Sequence, residues 1–451
     1  MDANREKAPS PQETFVQMAQ AAGLRGRVLV TLGMLILARF GTFIPVPGID
    51  RLKFAEDFKN NPAFGVLDIF SGGLSTLGIF ALGIIPYINA SIIIQLLTTA
   101  LPGLEKLQKE EGEAGRRKIS QITRYVAVGW GFVQSLGFAL YLNNQVDSNG
   151  VAKYLLPGHT PGIFFIVSTA MALTAGAMFV MWISELITEK GIGNGASLLI
   201  FLNIVAVLPK SFSDTFNLAQ SDSSILTPTI ALLAVFILMT VGIVFVQEGT
   251  RRIPIISARR QVGRRIQRER TSYLPLRLNQ GGVMPIIFAS SVLILPGALA
   301  SFIATSGAGT GVVEAVTKIR DFLSPSGGGY VPFYLILIVF FSYFYSSLVV
   351  NPIDMAQNLK KMGASIPGIR PGVATTKYIE GILARLTLLG AIFLGVVATV
   401  PTAIESALNV STFKGFGATS LLILVSVAID TAKQIQTLVI SQRYEGMIGK
   451  D

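Results

Sequence analysis

Ten runs of mostly apolar residues, separated by short polar stretches, divide this 451-residue chain. A helix needs roughly 17 to 25 such residues to cross the hydrocarbon core of a bilayer, and all but the fifth run are that long. Composition agrees, because 51% of the residues are hydrophobic and only 14% are charged, which is unusual for a soluble domain. The sequence predicts an all-α membrane protein with ten transmembrane helices, the fifth of which could extend past Pro209. The predicted spans are 28–44, 80–101, 119–142, 163–187, 196–208, 230–246, 283–304, 331–350, 382–400 and 418–438.

The basic residues divide unevenly between the two sides of the predicted membrane. An even number of spans places both termini on one side, and 28 of the 37 lysines and arginines lie on that side, against eight on the other. Arg39 lies inside the first span. Since basic residues near span ends are retained in the cytoplasm, the pattern predicts that both termini are cytoplasmic.

The N-terminal 23 residues precede the first span. They contain no apolar core followed by a small-residue cleavage site, so we predict neither a signal peptide nor an organelle transit peptide, which favours a bacterial origin. Apolar residues scattered over 14–23 indicate a helix at the cytoplasmic interface, with a frayed polar tail as the alternative.

Candidate catalytic and metal-binding residues are scarce. The chain has no cysteine, and its one histidine, His159, lies in a turn-rich stretch between prolines. Asp430 has no obvious aspartate partner within the membrane, and Glu185 lies near a cytoplasmic span end, where solvation or pairing is expected. The glycines of 191–195 lack the lysine and strand context of a phosphate-binding loop. We therefore predict no catalytic site, no metal and no cofactor. A secondary transporter and, more remotely, an intramembrane hydrolase remain as rival interpretations of an apolar chain with few buried charges.

Residues 62–80 form a run that is too apolar for a solvated loop and too rich in glycine for a good helix. Irregular backbone at membrane depth is tolerated where it is buried in protein or lines an aqueous cavity. The run therefore indicates a cavity.

Several motifs carry a resemblance to a known family. Residues 79–97 (IFALGIIPYINASIIIQLL) and 181–200 (MWISELITEKGIGNGASLLI) resemble the two sequence signatures of the SecY family. Further matches are 43–50 (FIPVPGID), 111–120 (EGEAGRRKIS), 288–291 (FASS) and 367–372 (PGIRPG), in the family's order. The resemblance implies a ten-helix hourglass channel made of two pseudo-symmetric halves, with a central constriction that a plug closes from outside.

The resemblance also implies roles for individual residues. Branched apolar side chains around a narrow pore repel water and ions, and polar groups along a lateral gate hold it shut through hydrogen bonds. The implied constriction ring is Ile84, Ile88, Ala196, Ile200, Ile287 and Ile423. The implied plug, within 64–78, includes Leu67, Phe70, Ser71, Gly72, Gly73 and Leu74. The implied gate residues are Asn89, Gln134, Ser290 and Ser291. Ordinary helix packing is the alternative for each set.

The expected organisation follows the two halves. Residues 1–23 are a cytoplasmic segment, 24–210 carry spans one to five, 211–440 carry spans six to ten with cytoplasmic loops 248–282 and 352–380, and 441–451 are a cytoplasmic tail. By resemblance, the channel conducts unfolded secretory chains, receives signal sequences and releases apolar segments into the lipid bilayer. Its implied partners are SecE and SecG in the membrane, and the SecA ATPase or a ribosome outside it. The expected location is the bacterial inner membrane, or also a thylakoid membrane.

The loop after span six is rich in arginine. It holds nine arginines between 251 and 277 and a single aromatic residue, Tyr273, so it offers contacts to phosphate or carboxylate without a platform for base stacking. By resemblance it docks ribosomal RNA or SecA, together with the loop around Arg370. The implied docking residues are Arg259, Arg260, Arg264, Arg265 and Arg370. A purely topogenic role is the alternative.

Overall fold

The computed structural model is helical apart from one small sheet and one short hairpin. It describes residues 22–59, 68, 71–109, 111–145, 152–158, 160–221, 223–257, 261–262, 265–266, 271–293, 310–323, 328–408 and 418–448. The helices are α1 (Ala22–Gly41), α2 (Arg51–Lys59), α3 (Ile85–Ala100), α4 (Pro102–Lys109), α5 (Gly112–Asn144), α6 (Ile163–Lys190), α7 (Gly195–Ser221), α8 (Ser223–Glu248), α9 (Met284–Leu293), α10 (Thr310–Phe322), α11 (Tyr330–Val349), α12 (Pro352–Lys361), α13 (Val373–Leu408) and α14 (Ala418–Ile448). The strands are β1 (Thr250–Ser257), β2 (Gln261–Val262), β3 (Arg265–Ile266), β4 (Thr271–Arg277) and β5 (Ala364–Ser365).

Every predicted span contains a helix within the described part of the chain. Seven helical stretches are long and apolar enough to cross a membrane, and an eighth results if α3 and α4 count as one bent span. The other two predicted spans correspond to α1, whose 20 residues include three arginines, and to α9, which is described over only part of the predicted run. The architecture is thus an all-α, multi-span membrane protein.

The fifth and the second span show two effects of proline in this chain. As expected for the fifth span, α7 continues through Pro209 and reaches Ser221, because proline is tolerated inside membrane helices. In the second span, α3 begins at Ile85 rather than at residue 80 and ends at Ala100, and α4 leaves it at an angle of 103°. Leu101 between them is extended (φ −104°, ψ 115°), as expected for a residue that precedes proline.

The loop after α8 forms a sheet that the sequence analysis did not predict. Strand β1 pairs antiparallel with β4, from Thr250 opposite Arg277 to Ile256 opposite Thr271. Its other edge pairs with β5, which belongs to the loop between α12 and α13. Ile253, Ile255 and Leu276 bury one face of this sheet against residues of α12 and α13. The loop after α8 and the loop between α12 and α13 therefore share one sheet.

Two apolar clusters organise the membrane region. The larger joins residues of α1, α3, α6, α7, α8, α9, α11, α13 and α14. The smaller lies around Phe54, Leu77 and Leu142, beside the segment that precedes α3. His159 lies outside the described residues. So does the predicted helix over 14–23, except for residues 22 and 23, which begin α1.

Candidate functional site

The six residues of the implied constriction ring meet in the larger cluster. Ile84, Ile88, Ile200, Ile287 and Ile423 are each at most 7% exposed, and all five belong to it. Ala196 is partly buried and packs against the same cluster. The ring residues come from the start of α3, from α7, α9 and α14, so four separate parts of the chain converge here. Their role in a pore remains a prediction.

The glycine-rich segment before α3 is bonded to the end of α1. The Thr76 hydroxyl donates to the Thr42 carbonyl (3.0 Å), the Ile79 amide donates to the Ile44 carbonyl (2.9 Å), and the Val46 amide donates to the Leu77 carbonyl (3.3 Å). One turn earlier on α1, the Arg39 guanidinium donates to the Gly72 carbonyl (2.9 Å). Of the predicted plug residues, Ser71, Gly72, Gly73 and Leu74 belong to this bonded segment, whereas Leu67 and Phe70 lie outside the described residues.

Two glycines permit the close packing of this segment. Gly72 has a positive φ (+70°), and a Cβ there would overlap the Asn203 side chain on α7. Gly83 also has a positive φ (+54°), and a Cβ there would lie 2.6 Å from the Ser71 carbonyl oxygen. Since L side chains rarely adopt this backbone region, both positions favour glycine. The segment is thereby pressed against α7 on one side and against the start of α3 on the other.

A small cavity separates the segment from the ring. Its lining includes Ser71 of the segment, Ile84 of the ring, Asn203 of α7 and Thr42 of α1. The Ser71 hydroxyl is buried and has no hydrogen-bond partner in the described part of the protein. Ser71 of the segment and Ile84 of the implied ring thus line one small cavity.

The predicted gate residues do not bond to one another. Ser290 on α9 donates to its own helix at the Ile286 carbonyl (2.8 Å) and bonds Tyr334 on α11 (3.0 Å). Asn89 on α3 is 6% exposed, and the Gln134 side-chain oxygen on α5 is buried without a partner among the described residues. Ser291 is partly buried. The expected hydrogen bonds between gate residues are therefore not found in the described structure. Ser290 forms its hydrogen bond with Tyr334 on α11 instead.

The docking arginines are described only in part. Arg265 begins β3, whose two residues pair with the two residues of β2. Arg370 is exposed in the turn before α13. The Thr375 hydroxyl donates to the Arg370 carbonyl (2.9 Å), which holds that turn against α13. Arg259, Arg260 and Arg264 lie outside the described residues.

Several polar contacts at the base of this loop were not predicted. Gln247 donates to the buried Ser426 hydroxyl (2.8 Å), Lys433 pairs with Glu248 (2.8 Å), and Arg277 pairs with Asp430 (3.7 Å). The three α14 residues follow one another at intervals of about one turn, so both ends of the loop rest on a single face of that helix. The spacing of residues 426, 430 and 433 was the sequence signal from which these contacts could have been predicted. Glu185, for which solvation or pairing was expected, pairs with Arg124 of α5 (2.7 Å) near the end of α6.

Comparisons with known proteins agree with this geometry. The SecY family model matches residues 78–432. The chain is 64% identical to the protein translocase subunit SecY of Synechococcus elongatus over 457 aligned positions, which cover 99% of this chain and all of that relative.

Two solved structures share the fold. A structure that concerns the plug domain of a SecY protein has a TM-score of 0.63 at 18% identity, with 91% of each chain covered. Sec61 in a canine ribosome-channel complex has a TM-score of 0.61 at 16% identity, again with 91% of each chain covered. The family model, the relative and the fold agree over nearly the whole chain. This protein therefore belongs to the SecY family of protein translocase subunits, and it has the fold of a membrane-embedded protein-conducting channel.

Proposed function

We propose that this chain forms the pore of a Sec translocon, which passes unfolded secretory polypeptides across the membrane and releases hydrophobic segments sideways into lipid. The observation that carries the proposal is the convergence of ring residues from four parts of the chain in one buried apolar cluster, next to the bonded segment 71–79. Isoleucines in such a ring exclude water and ions from a narrow passage yet yield to a moving chain.

In this proposal the segment 71–79 is part of the plug and seals the passage from outside. It is bonded to Arg39 of α1 and to residues 42–46, and its glycines allow close contact with α7 and α3. A translocating chain would displace it. The chain itself performs no chemistry, and work comes from the SecA ATPase or from a translating ribosome.

The lateral gate is proposed to run along α3, α5 and α9, where Asn89, Gln134, Ser290 and Ser291 lie. The Gln134 side-chain oxygen is buried without a partner among the described residues, and the Asn89 side chain is buried. An unpaired buried polar group costs about 1–3 kcal/mol. The closed gate is thus weakened at these positions, which favours its opening by an apolar signal helix.

The cytoplasmic docking surface is proposed to be the sheet formed by β4, β1 and β5 together with the arginines around it. Arg265 and Arg370 are its described members among the predicted docking residues, and guanidinium groups suit both carboxylate and phosphate partners. SecE and SecG are the proposed membrane partners. The proposed location is the bacterial inner membrane, with a thylakoid membrane as a second site, and with both termini in the cytoplasm.

Reconstitution tests this function directly. The full chain is assembled with SecE and SecG in lipid vesicles, and SecA, ATP and a secretory precursor are added. We expect precursor to become protected from external protease only when ATP is present. An intact complex that binds SecA but protects no precursor would refute the assignment, and net uptake of a small solute instead would favour the transporter alternative.

A further inference from the structure

The arginine inside the first span has a specific partner. Arg39 lies within the apolar α1, is partly buried, and donates through Nη1 to the Gly72 carbonyl over 2.9 Å. Its guanidinium also lies 5.5 Å from the centroid of the Phe43 ring. A charged side chain inside a membrane span is costly unless it has a partner or contacts water. The position of Arg39 therefore needs a reason, and the segment that contains Gly72 supplies one.

The two ends of the bonded segment are held in different ways. Hydrogen bonds that involve the backbone of both segments fix residues 76–79 to residues 42–46. An isolated bridge also pairs Pro45 with Gly78. At the other end, Arg39 supplies the one hydrogen bond from α1 to Gly72 in the described structure. A single side chain is easier to release than several backbone bonds. The end at residue 72 is therefore the end that moves first.

The chain between these ends is suited to bending. Gly72 has a positive φ, and Gly73 follows it directly. The Ser75 amide bonds the Asp68 side chain (2.9 Å), which ties Ser75 to the chain that precedes Gly72. A movement about the junction of Ser75 and Thr76 would thus carry Gly72 and Gly73 away together while residues 76–79 stay bonded to residues 42–46.

We propose that Arg39 is the positioning residue that holds the plug segment closed, by bonding the Gly72 carbonyl, and that plug displacement begins with the loss of this bond. The inference rests on the proposed function, in which the segment is the plug. Arginine stays charged at every relevant pH, so the bond does not depend on pH. When the plug leaves, the guanidinium faces the water-filled passage, where hydration replaces the lost bond and keeps opening reversible.

Ion leak through the resting channel tests this proposal. The complete complex is reconstituted in vesicles, and halide efflux is measured for the parent, Arg39→Met and Arg39→Lys. We expect Arg39→Met to raise the leak about tenfold, the change in an equilibrium constant for the loss of one hydrogen bond to a charged group. Arg39→Lys should leak less than Arg39→Met because an ammonium can still donate to the carbonyl. The matched control is Arg51→Met, since Arg51 is also partly buried and bonds a backbone carbonyl, that of Phe43, at 3.1 Å on the same side of the membrane. A parental leak in Arg39→Met, or an equal rise in Arg51→Met, would overturn the proposal.

A disulfide distinguishes the loss of the Arg39 bond to Gly72, which we call the latch, from a general loss of structure. The chain has no cysteine, and an ideal Cβ at Gly73 would lie 3.3 Å from the Thr42 Cβ, close to the ~3.5–4.5 Å found between disulfide-bonded cysteines. In Arg39→Met that also carries Thr42→Cys and Gly73→Cys, oxidation should return the leak to the parental level, and reduction should restore it. A leak that persists when the disulfide is formed arises elsewhere and refutes the latch.

The same disulfide tests the plug assignment independently. With Arg39 intact, oxidation of the Thr42→Cys, Gly73→Cys variant should block translocation of the precursor. Translocation through the locked channel would refute the identification of the segment as the plug. A locked channel that blocks translocation, combined with a parental leak in Arg39→Met, would refute the latch alone.

Discussion

Gln247 on α8 donates a 2.8 Å hydrogen bond to the Ser426 hydroxyl on α14, and both side chains are buried. Ser426 lies about one turn beyond Ile423, which belongs to the implied constriction ring. Gln247 immediately precedes Glu248, which pairs with Lys433 on the same helix. The base of the arginine-rich loop and the ring are thus attached to one helix, a short distance apart.

Loss of this bond should destabilise the protein. We expect Gln247→Leu to lower the free energy of unfolding by about 1–2 kcal/mol, because the buried Ser426 hydroxyl loses its partner. The double variant with Ser426→Ala should recover part of that loss, since no polar group is then left unpaired. Chemical denaturation in detergent measures both. Equal losses in the single and double variants would contradict the expectation.

The ion pair between Arg124 and Glu185 should matter more than an exposed one. The Glu185 side chain is only 17% exposed, so Arg124→Ala leaves a partly buried charge and should cost about 1–3 kcal/mol of unfolding free energy. Lys118→Ala is the control, because its partner Glu111 is 44% exposed and such pairs contribute about 0–1 kcal/mol. The same denaturation experiment compares them. A larger loss in Lys118→Ala would contradict this ranking.

Replacement of ring isoleucines by glycine should open a path for ions. Ile88→Gly combined with Ile200→Gly removes the branched side chains that exclude water, and we expect halide efflux from vesicles to rise. Ile237→Gly is the control, since Ile237 is 59% exposed on α8. It should lower stability slightly and leave efflux unchanged. If the ring variant shows parental efflux, Ile88 and Ile200 do not line the passage.

Replacement of Asn89 by leucine should make the gate harder to open. The Asn89 side chain is only 6% exposed, so leucine removes the cost of burying an amide that the closed state bears. We expect precursors with weakly hydrophobic signal sequences to be translocated less, while strong signals are affected little. Asn358→Leu, at an exposed position on α12, should change neither. Improved translocation of weak signals by Asn89→Leu would show that Asn89 stabilises the closed gate.

Charge reversal on the docking surface should weaken binding of SecA and of ribosomes. Arg265→Glu combined with Arg370→Glu should reduce affinity about tenfold or more at physiological salt, because charge-assisted contacts become repulsive. Lys106→Glu, at an exposed position on α4 outside this sheet, is the control for net charge. Sedimentation with ribosomes and titration with SecA measure the affinities. Unchanged affinity for both partners would leave the arginines with a topogenic role only.

The sequence predicted the helices well because each long apolar run has few structural alternatives in a membrane. It predicted boundaries less well where polar sequence continues a helix, as in α13, which begins at Val373 rather than at residue 382, or where turns replace the start of a span, as at residues 80–84 before α3. The ring residues were placed through motif register, and they meet in one cluster. Their convergence depends on how several helices pack, which the sequence pattern does not reveal.

The contacts that the sequence did not reveal are non-local. The pairing of β1 with β5 joins residues more than a hundred positions apart, and the Arg39 bond to Gly72 joins a helix to an irregular segment. Ser290 could bond across a gate or to α11, and only packing decides in favour of Tyr334. An arginine inside an apolar run indicated that Arg39 has a polar partner. The sequence did not reveal that this partner is the Gly72 carbonyl.

The strand that β5 contributes to the sheet has a consequence for engineering. One edge of β1 pairs with β4 of the same loop, and the other edge pairs with β5 of the loop between α12 and α13. If only one of these loops is replaced by that of a homologue, β1 and β5 therefore come from different proteins. Chimeras that exchange the two loops together should retain the shared sheet, whereas single exchanges lose a pairing edge. For a designer, the two loops are one interchangeable module encoded in two places.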